Sequence, residues 1–330
     1  MNTNTDKKTI LVSGASGIVG YGILKSLRSY NSEIKLIGTT IYEDSIVPAF
    51  CDIFEKAPLT NDENYINWLI EIIKKYNVDM IIPGIEVDVF VWNDNKDLLD
   101  KTGTHVLLNN SELINLCVDK WLFYEKLVAS EPELSIDSRL TGTFEELEKA
   151  FGLPFLLKPR RGYGSKGIVK VNDENTFNEN KKNLGEILMA QPIVGNIDEE
   201  YTISAFFDND NNLLCHMSLK RKLSKQGFTE KAEVAEIENA KDAIKKLSKI
   251  FKPVGPTNFQ FRVQNGQLKL LEINPRISSA TSIRTAFGYN ESAISIEYFL
   301  NQTKISQPKI KKGHAIRYTE DYVVYDSNNI

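Results

Sequence analysis

The sequence predicts a chain in two parts, an α/β lobe on a parallel sheet followed by an α+β region, and three observations carry that expectation. From Thr9 to about residue 109, apolar runs alternate with helical patterns, as in a parallel sheet covered on both faces. Beyond about residue 200, pairs of runs alternate polar with apolar residues and are joined by short turns of Asn, Asp and Gly, as in antiparallel hairpins. The 330 residues, 42% hydrophobic and 25% charged, are too many for one ordinary domain and suit two or three separately packed lobes.

The elements follow in order. Thr9 to Ser13 is an apolar run that meets Gly14, Ala15, Ser16, Gly17 and Gly20, after which Ile23, Leu24 and Leu27 mark a helix running toward Tyr30. Glu33 to Thr39 reads as a second strand, Tyr65 to Tyr76 as an amphipathic helix, Asp79 to Pro83 as a third strand and His105 to Leu108 as a fourth. Ser111 to Val128 reads as one helix or two, and Thr143 caps a short helix from Phe144 to Phe151. The apolar FLLK strand, Pro154 to Pro159, runs into RRGYGSKG. A strand at Ile168 to Val171, a polar helix over Asp173 to Leu184 and a strand ending at Gln191 complete a small unit expected to act as a mobile lid. Tyr201 to Phe207 and Leu213 to Leu219 form a hairpin, Ala240 to Ile250 a helix, Asn258 to Val263 and Leu268 to Ile273 a second hairpin, and Ser292 to Leu300 a last helix.

Composition narrows the function. A formal charge of -4 gives no reason to expect a nucleic acid partner, since phosphate-backbone affinity rests on clustered Lys and Arg. Cys51, Cys117 and Cys215 are scattered and odd in number, and His105, His216 and His314 are equally dispersed, so neither a disulfide framework nor a thiolate or imidazole metal site is expected. Any metal is then held by oxygen. No window reaches the ~20 apolar residues of a membrane span, and the expected setting is cytoplasmic, with small molecules as substrates.

The hairpin near residue 265 is the most informative segment. Asn258, Gln260 and Arg262 alternate with Phe259 and Phe261, while Glu272 and Asn274 alternate with Leu271 and Ile273, so each strand has one polar face. A three-residue loop of Asn265, Gly266 and Gln267 would set Gln260 opposite Glu272; a two-residue Asn-Gly turn would shift the register by one and separate them. Gln260, Glu272 and Asn274 together offer hard oxygen ligands with one full negative charge, which suits Mg2+ shared with nucleotide phosphates. Arg276 follows, where a guanidinium can offset charge on a transferring phosphoryl group.

The stretch LEINPR followed by Ser278, Ser279, Arg284 and Gly288 resembles the end of the ATP-grasp domain in the carbamoyl-phosphate synthetase large subunit, and TNFQFRV resembles that superfamily's Gln-bearing strand. Other segments match in the same order over roughly residues 110 to 300. Lys120 in VDK resembles the first phosphate-binding lysine and Lys158 in LLKPRRGYGSKG the second, with Gly162, Gly164, Ser165 and Gly167 forming a loop able to close over phosphates and Arg160, Arg161 and Lys166 adding charge. MAQPIVGNIDEEYTIS resembles the hinge that receives adenine and ribose, implying Gln191, Pro192 and Ile193 at the base and Glu200, with Glu199 as its rival, at the ribose. LKRKL puts Lys220 and Arg221 where the family carries a basic residue facing the phosphates or the acyl phosphate.

The resemblance implies a Rossmann-like pre-ATP-grasp domain over residues 1–109, an ATP-grasp domain over 110–305 with its lid subdomain at about 135–190, and a tail over 306–330. It also implies a carboxylate–amine ligase that uses Mg-ATP, with two ions and Mn2+ as a substitute, to make an acyl phosphate that a nucleophile attacks. Arg276, Lys158 and Arg221 are the expected catalytic side chains, and a homodimer is common among such enzymes. GASGIVG also matches GxxGxxG after a strand and before a helix, so an NAD(P)-dependent reductase is the rival reading, with an ATP-grasp kinase beside it. Under the ATP-grasp reading Gly14, Ser16 and Gly17 can face the acceptor substrate, Glu86 and Asp88 can hold an amine, and Ser279 and Arg284 join the substrate set.

Overall fold

The computed structural model describes residues 7–162, 167–196, 199–224 and 227–324. The chain forms two compact units, one of residues up to Leu108 with Ile277–Ile305 and the segment from His314, the other of Asn109–Arg276 with Ser306–Gly313. Among the described residues no helix is long and apolar enough to cross a membrane.

The first unit runs through β1 (Thr9–Val12), α1 (Ile18–Tyr30), β2 (Lys35–Thr40), β3 (Ile53–Lys56), α2 (Tyr65–Tyr76), β4 (Met80–Ile82), α3 (Glu86–Asp94), α4 (Lys96–Asp100) and β5 (His105–Val106). Its strands make one parallel sheet in the order β3-β2-β1-β4-β5. The two-residue period of β1 explains its place at the centre: Ile10 and Val12 enter a core with Ile23, Leu24 and Leu27 of α1, while Leu11 enters the opposite core with Leu69, Ile72 and Ile73 of α2. β3 escapes a reading by pattern because it is a four-residue edge strand, IFEK, with no fully buried position.

The glycine turn is shaped by packing. Gly14 has φ +53°, and a Cβ added there would lie 2.4 Å from Cγ2 of Ile85; one on Gly20 would lie 2.5 Å from the Gly14 carbonyl oxygen.

The structure breaks the chain after Leu108 and Ile305 and adds a break after Arg276 that the sequence reading did not place. Ile277 and Ile296 complete the α1-side core with Ile10 and Leu27, and Tyr30 donates to Glu297, so residues 277–305 pack as part of the first unit. No linker or composition change after Arg276 marks this return, and the two helices Thr281–Ala286 and Glu291–Phe299 bury largely polar faces, Thr281, Arg284, Glu291, Ser292 and Ser295 among them.

The second unit continues with α5 (Ser111–Cys117), α6 (Lys120–Val128), α7 (Phe144–Phe151), β6 (Phe155–Pro159), β7 (Val169–Val171), α8 (Glu174–Asn180), β8 (Leu188–Pro192), β9 (Glu200–Phe207), β10 (Leu213–Leu223), β11 (Thr229–Val234), α9 (Ala240–Phe251), β12 (Gly255–Gln264) and β13 (Gln267–Asn274). Strands β7-β6-β8 form a small antiparallel sheet whose core of Phe155, Leu157, Val171 and Phe177 is closed by Leu147 of α7. Strands β13-β12-β9-β10-β11 form a larger antiparallel sheet. Phe207, Phe259 and Phe261 on one face of that sheet meet Ile244, Leu247 and Phe251 of α9, and Phe251 stacks on Phe123 of α6. That face is filled with apolar side chains, which leaves the opposite face of β9, β10, β12 and β13 for polar ones.

Candidate functional site

A cavity of about 170 Å³ lies within the second unit, and its walls include Lys120, Lys158, Gln191, Glu200, Gln260 and Glu272. These six arrive from α6, β6, β8, β9, β12 and β13, so both sheets and one helix supply the site.

The hairpin β12–β13 reaches this geometry by a route other than the three-residue loop. Gln264 pairs with Gln267, so the turn is the two-residue Asn265-Gly266, with both residues at positive φ (51° and 75°). On its own that turn would set Leu271 opposite Gln260. The register shifts between Gln260 and Phe261, where Phe261 pairs with Leu270 and Gln260 with Glu272, so Leu271 is the extra residue of a β-bulge. The bulge restores Gln260 opposite Glu272 and Asn258 opposite Asn274. It also turns Leu271 to the cavity beside Glu272, while Leu268, Leu270 and Ile273 stay in the core. The expectation that Leu271 shares the apolar face is corrected by this single inserted residue.

Asn274 Nδ2 donates to Glu272 Oε1 at 3.2 Å, and Asn274 Oδ1 accepts from Arg276 at 3.3 Å. Gln260 and Glu272 offer oxygen to the cavity, a donor set that suits a hard cation. As placed, Asn274 points nitrogen toward Glu272, and joining that set needs its amide turned.

Lys158 donates to Gln191 Oε1 at 3.1 Å, and Gln191 Nε2 in turn donates to Ser138 at 3.0 Å, so the hinge glutamine is held on both sides. Desolvation pushes the Lys158 ammonium down to about 8; Glu272 opposes this, while Lys120 and Arg262 add to it. A lysine depressed in this way detracts from native stability while charged, below about 8, and the penalty lifts as pH rises toward its ordinary 10.5. Lys120 opens α6 and donates to the Gly162 carbonyl at 2.8 Å. Gly164, Ser165 and Lys166 lie outside the described residues.

Two basic residues of the loop are already engaged. Asp119, the N-cap of α6, accepts from Arg160 at 3.2 and 2.8 Å and from Arg161 at 3.0 Å. Burial pushes the Asp119 carboxyl up, but the Arg160 bonds, the Trp121 amide and both guanidinium charges together hold it below the ordinary range. These arginines therefore anchor the loop to α6 and are not free charges for phosphate.

Glu200 is the hub of a buried network. Its Oε1 accepts from Arg221 at 3.1 and 2.7 Å and its Oε2 from Arg262 at 3.3 Å, with the Glu200 and Arg221 side chains only 6% and 3% exposed. Arg262 also donates to the Val194 carbonyl at 3.4 Å. Arg221 lines the cavity, but strand alternation puts Lys220 on the other face of β10, where it pairs with Glu199 at 3.5 Å. Pro192 and Val194 line the cavity, whereas Ile193 is not among its walls.

Arg262, placed on the polar strand face by the sequence reading, was given no role there. It stands two positions beyond Gln260, so the same alternation that singled out Gln260 marks it. Ser138 and Asp119 carry no comparable signal, because each acts through a partner distant in sequence.

In the first unit, Gly14, Ser16, Gly17 and Asp88 border one cavity, and Glu86 is not among its walls. Asp88 is 1% exposed and accepts from Thr60 at 2.7 Å and Tyr65 at 2.9 Å. The Ser279 carbonyl accepts from Arg317. Arg284 is corrected as a substrate ligand: it is fully buried and bonded to Ser278 at 2.7 Å and Glu291 at 3.2 Å, so it braces the 278–291 segment.

A family model described as ATP-grasp in the biosynthetic pathway with Ter operon matches residues 188–322. The carbamoyl phosphate synthase large chain of Thermotoga neapolitana is 25% identical over 98% of this chain and 32% of that protein, and that of Methanobrevibacter smithii is 25% identical over 92% and 31%. The chain thus spans about a third of the length of these relatives. Among solved structures, N5-carboxyaminoimidazole synthetase from Staphylococcus aureus complexed with ADP superposes with a TM-score of 0.71 at 21% identity, covering 92% of this chain and 80% of that one. The biotin carboxylase–β-γ-ATP complex from Campylobacter jejuni gives 0.70 at 17%, covering 93% and 74%.

Proposed function

We propose that this chain, whose fold is that of the ATP-grasp proteins, is an ATP-dependent ligase that activates a carboxylate as an acyl phosphate and passes the acyl group to an amine or similar nucleophile. The observation that carries the reading is the convergence of Lys120, Lys158, Gln260 and Glu272 on one cavity from four separate elements. Lys158 and Lys120 supply point charges for the phosphates. Gln191, Pro192 and Val194 form the edge for the base, and Glu200 faces the ribose. Gln260 and Glu272, with Asn274 once its amide is turned, would hold Mg2+, which would supply positive charge to offset that of the phosphates.

In the reaction a substrate carboxylate oxygen attacks the γ-phosphorus, ADP leaves, and the amine displaces phosphate from the acyl carbon. No side chain needs to become covalently attached, so the protein's work is position, charge and exclusion of water. Arg276 stands next to Asn274, where its guanidinium can offset charge on the phosphoryl group. Arg221, bonded to Glu200, contributes by fixing that carboxylate. A dinucleotide reading gives no account of the convergence of Lys120, Lys158, Gln260 and Glu272 in the second unit.

Calorimetry with Mg-ATP and with NADPH, on the native chain and on Glu272→Ala with Asn274→Ala, tests the reading. Mg2+-dependent ATP binding that weakens in the double variant is expected; NADPH binding that the variant leaves unchanged, with no ATP binding, would sink it. A second expectation follows from Lys158. Phosphates beside its ammonium favour the charged form, so nucleotide binding should take up about half a proton at pH 8 and closer to one about a pH unit higher. Binding heats in buffers of different ionisation enthalpy measure that uptake, and Lys158→Met should abolish it.

A further inference from the structure

We infer that Arg262 is a positioning residue that sets base specificity: its guanidinium ties the hinge after β8 to Glu200, and so fixes the backbone edge at which a purine is read. The inference rests on the nucleotide site proposed above and gives Arg262 a place in it.

The hinge is held by two different means along its length. Gln191 and Pro192 are fixed by the small sheet, where they pair with Leu156 and Phe155 of β6. β8 ends at Pro192 and β9 begins at Glu200, so Val194 and Gly195 lie outside any strand. Val194 is nevertheless only 4% exposed, and what holds it comes from β12. Arg262 donates to the Val194 carbonyl at 3.4 Å and to Glu200 Oε2 at 3.3 Å. Gly195 has φ +62°, and a Cβ added there would lie 2.5 Å from the Val263 carbonyl oxygen and 3.3 Å from Cβ of Arg262. The hinge backbone therefore lies directly on the strand that carries Arg262.

Arginine suits this position because its planar fork reaches two acceptors in one fixed geometry, which an ammonium on a flexible stem does not. Glu200 is the firm end, since its other oxygen accepts twice from the buried Arg221. The contacts from Arg221 through Glu200 and Arg262 to Val194 thus pass the rigidity of the large sheet to the hinge. The consequence falls on the base. Adenine presents a donor at N6 where guanine presents an acceptor at O6, and a backbone edge separates them only while its own donors and acceptors are held in place. The phosphates are met elsewhere, by Lys120 and Lys158, so a displaced hinge should spare them.

Three probes separate base from phosphate: Mg-ATP, Mg-GTP and Mg-triphosphate, which has no base, each titrated by calorimetry into the full chain. Arg262→Lys keeps the charge beside Glu200 and loses the fork. It should weaken Mg-ATP about tenfold and leave Mg-GTP and Mg-triphosphate as they were, so that the preference for ATP over GTP falls by the same factor. Gly195→Ala pushes the same hinge off Val263 without touching Glu200, and should lower that preference too. Thermal melting checks both folds, and if Arg262→Lys melts too early to titrate, Gly195→Ala decides by the same ratio. The inference is overturned if the native chain binds Mg-ATP with no greater preference over Mg-GTP than the variants show, or if Arg262→Lys weakens all three probes equally. A native chain that binds no Mg-ATP would remove the nucleotide reading itself, and this inference with it.

Discussion

Lys158→Met is expected to weaken Mg-ATP binding about a hundredfold and to slow ATP-dependent phosphate release further, with no loss of thermal stability below pH 8. The ammonium stands among Gln191, Glu272 and Lys120 in a desolvated part of the cavity. A hydrogen bond from a charged donor there is worth about 1.5–3 kcal/mol, and a donor aimed at developing charge about 2.7–4 kcal/mol in the transition state. Met keeps most of the apolar stem and removes the charge. Since the charged ammonium detracts from native stability, its loss should leave the melting temperature equal or higher, which separates a binding defect from unfolding. Calorimetry, phosphate release and thermal melting on the same preparation decide it; unchanged ATP affinity would remove Lys158 from the site.

Glu200→Ala should instead act on the fold, lowering stability by about 3–5 kcal/mol. Both carboxylate oxygens are used by guanidinium groups, and Arg221 is almost wholly buried. Deleting the carboxylate strands that charge in a low-dielectric interior, which is the costly way to break a buried pair. Glu200→Gln retains an acceptor of the same shape and should lose less. Glu200→Ala with Arg221→Met should recover part of the loss, because the stranded charge is gone, and the two changes should be non-additive. Urea unfolding of the native chain, Glu200→Ala, Glu200→Gln, Arg221→Met and the double variant measures this; additive losses would mean that Arg221 and Glu200 do not act as a pair.

Much of the fold was legible because it rests on local pattern. The period-2 alternation of Asn258 to Arg262 and the apolar run Thr9 to Val12 name their strands directly, and the helical spacing of Ile23, Leu24 and Leu27 names the buried face of α1. The short edge strand β3 was not legible, since four half-buried residues have no period to read.

The candidate site divides along the same line. Residue type and alternation singled out Gln260 and Glu272, whereas Lys120, Lys158, Gln191 and Glu200 were named by the resemblance of their segments to ATP-grasp enzymes. Only the tertiary structure decided which charges are free to act. Asp119 engages Arg160 and Arg161, Glu200 engages Arg221 and Arg262, and Glu291 encloses Arg284, all through partners that lie tens of residues away or inside a core. The same holds for the register of the β12–β13 hairpin, where one bulged leucine shifts the pairing that the two-residue turn alone would set. Side-chain type is a local property of the chain, but the pairing of a charge and the slip of a strand are set by what packs against them.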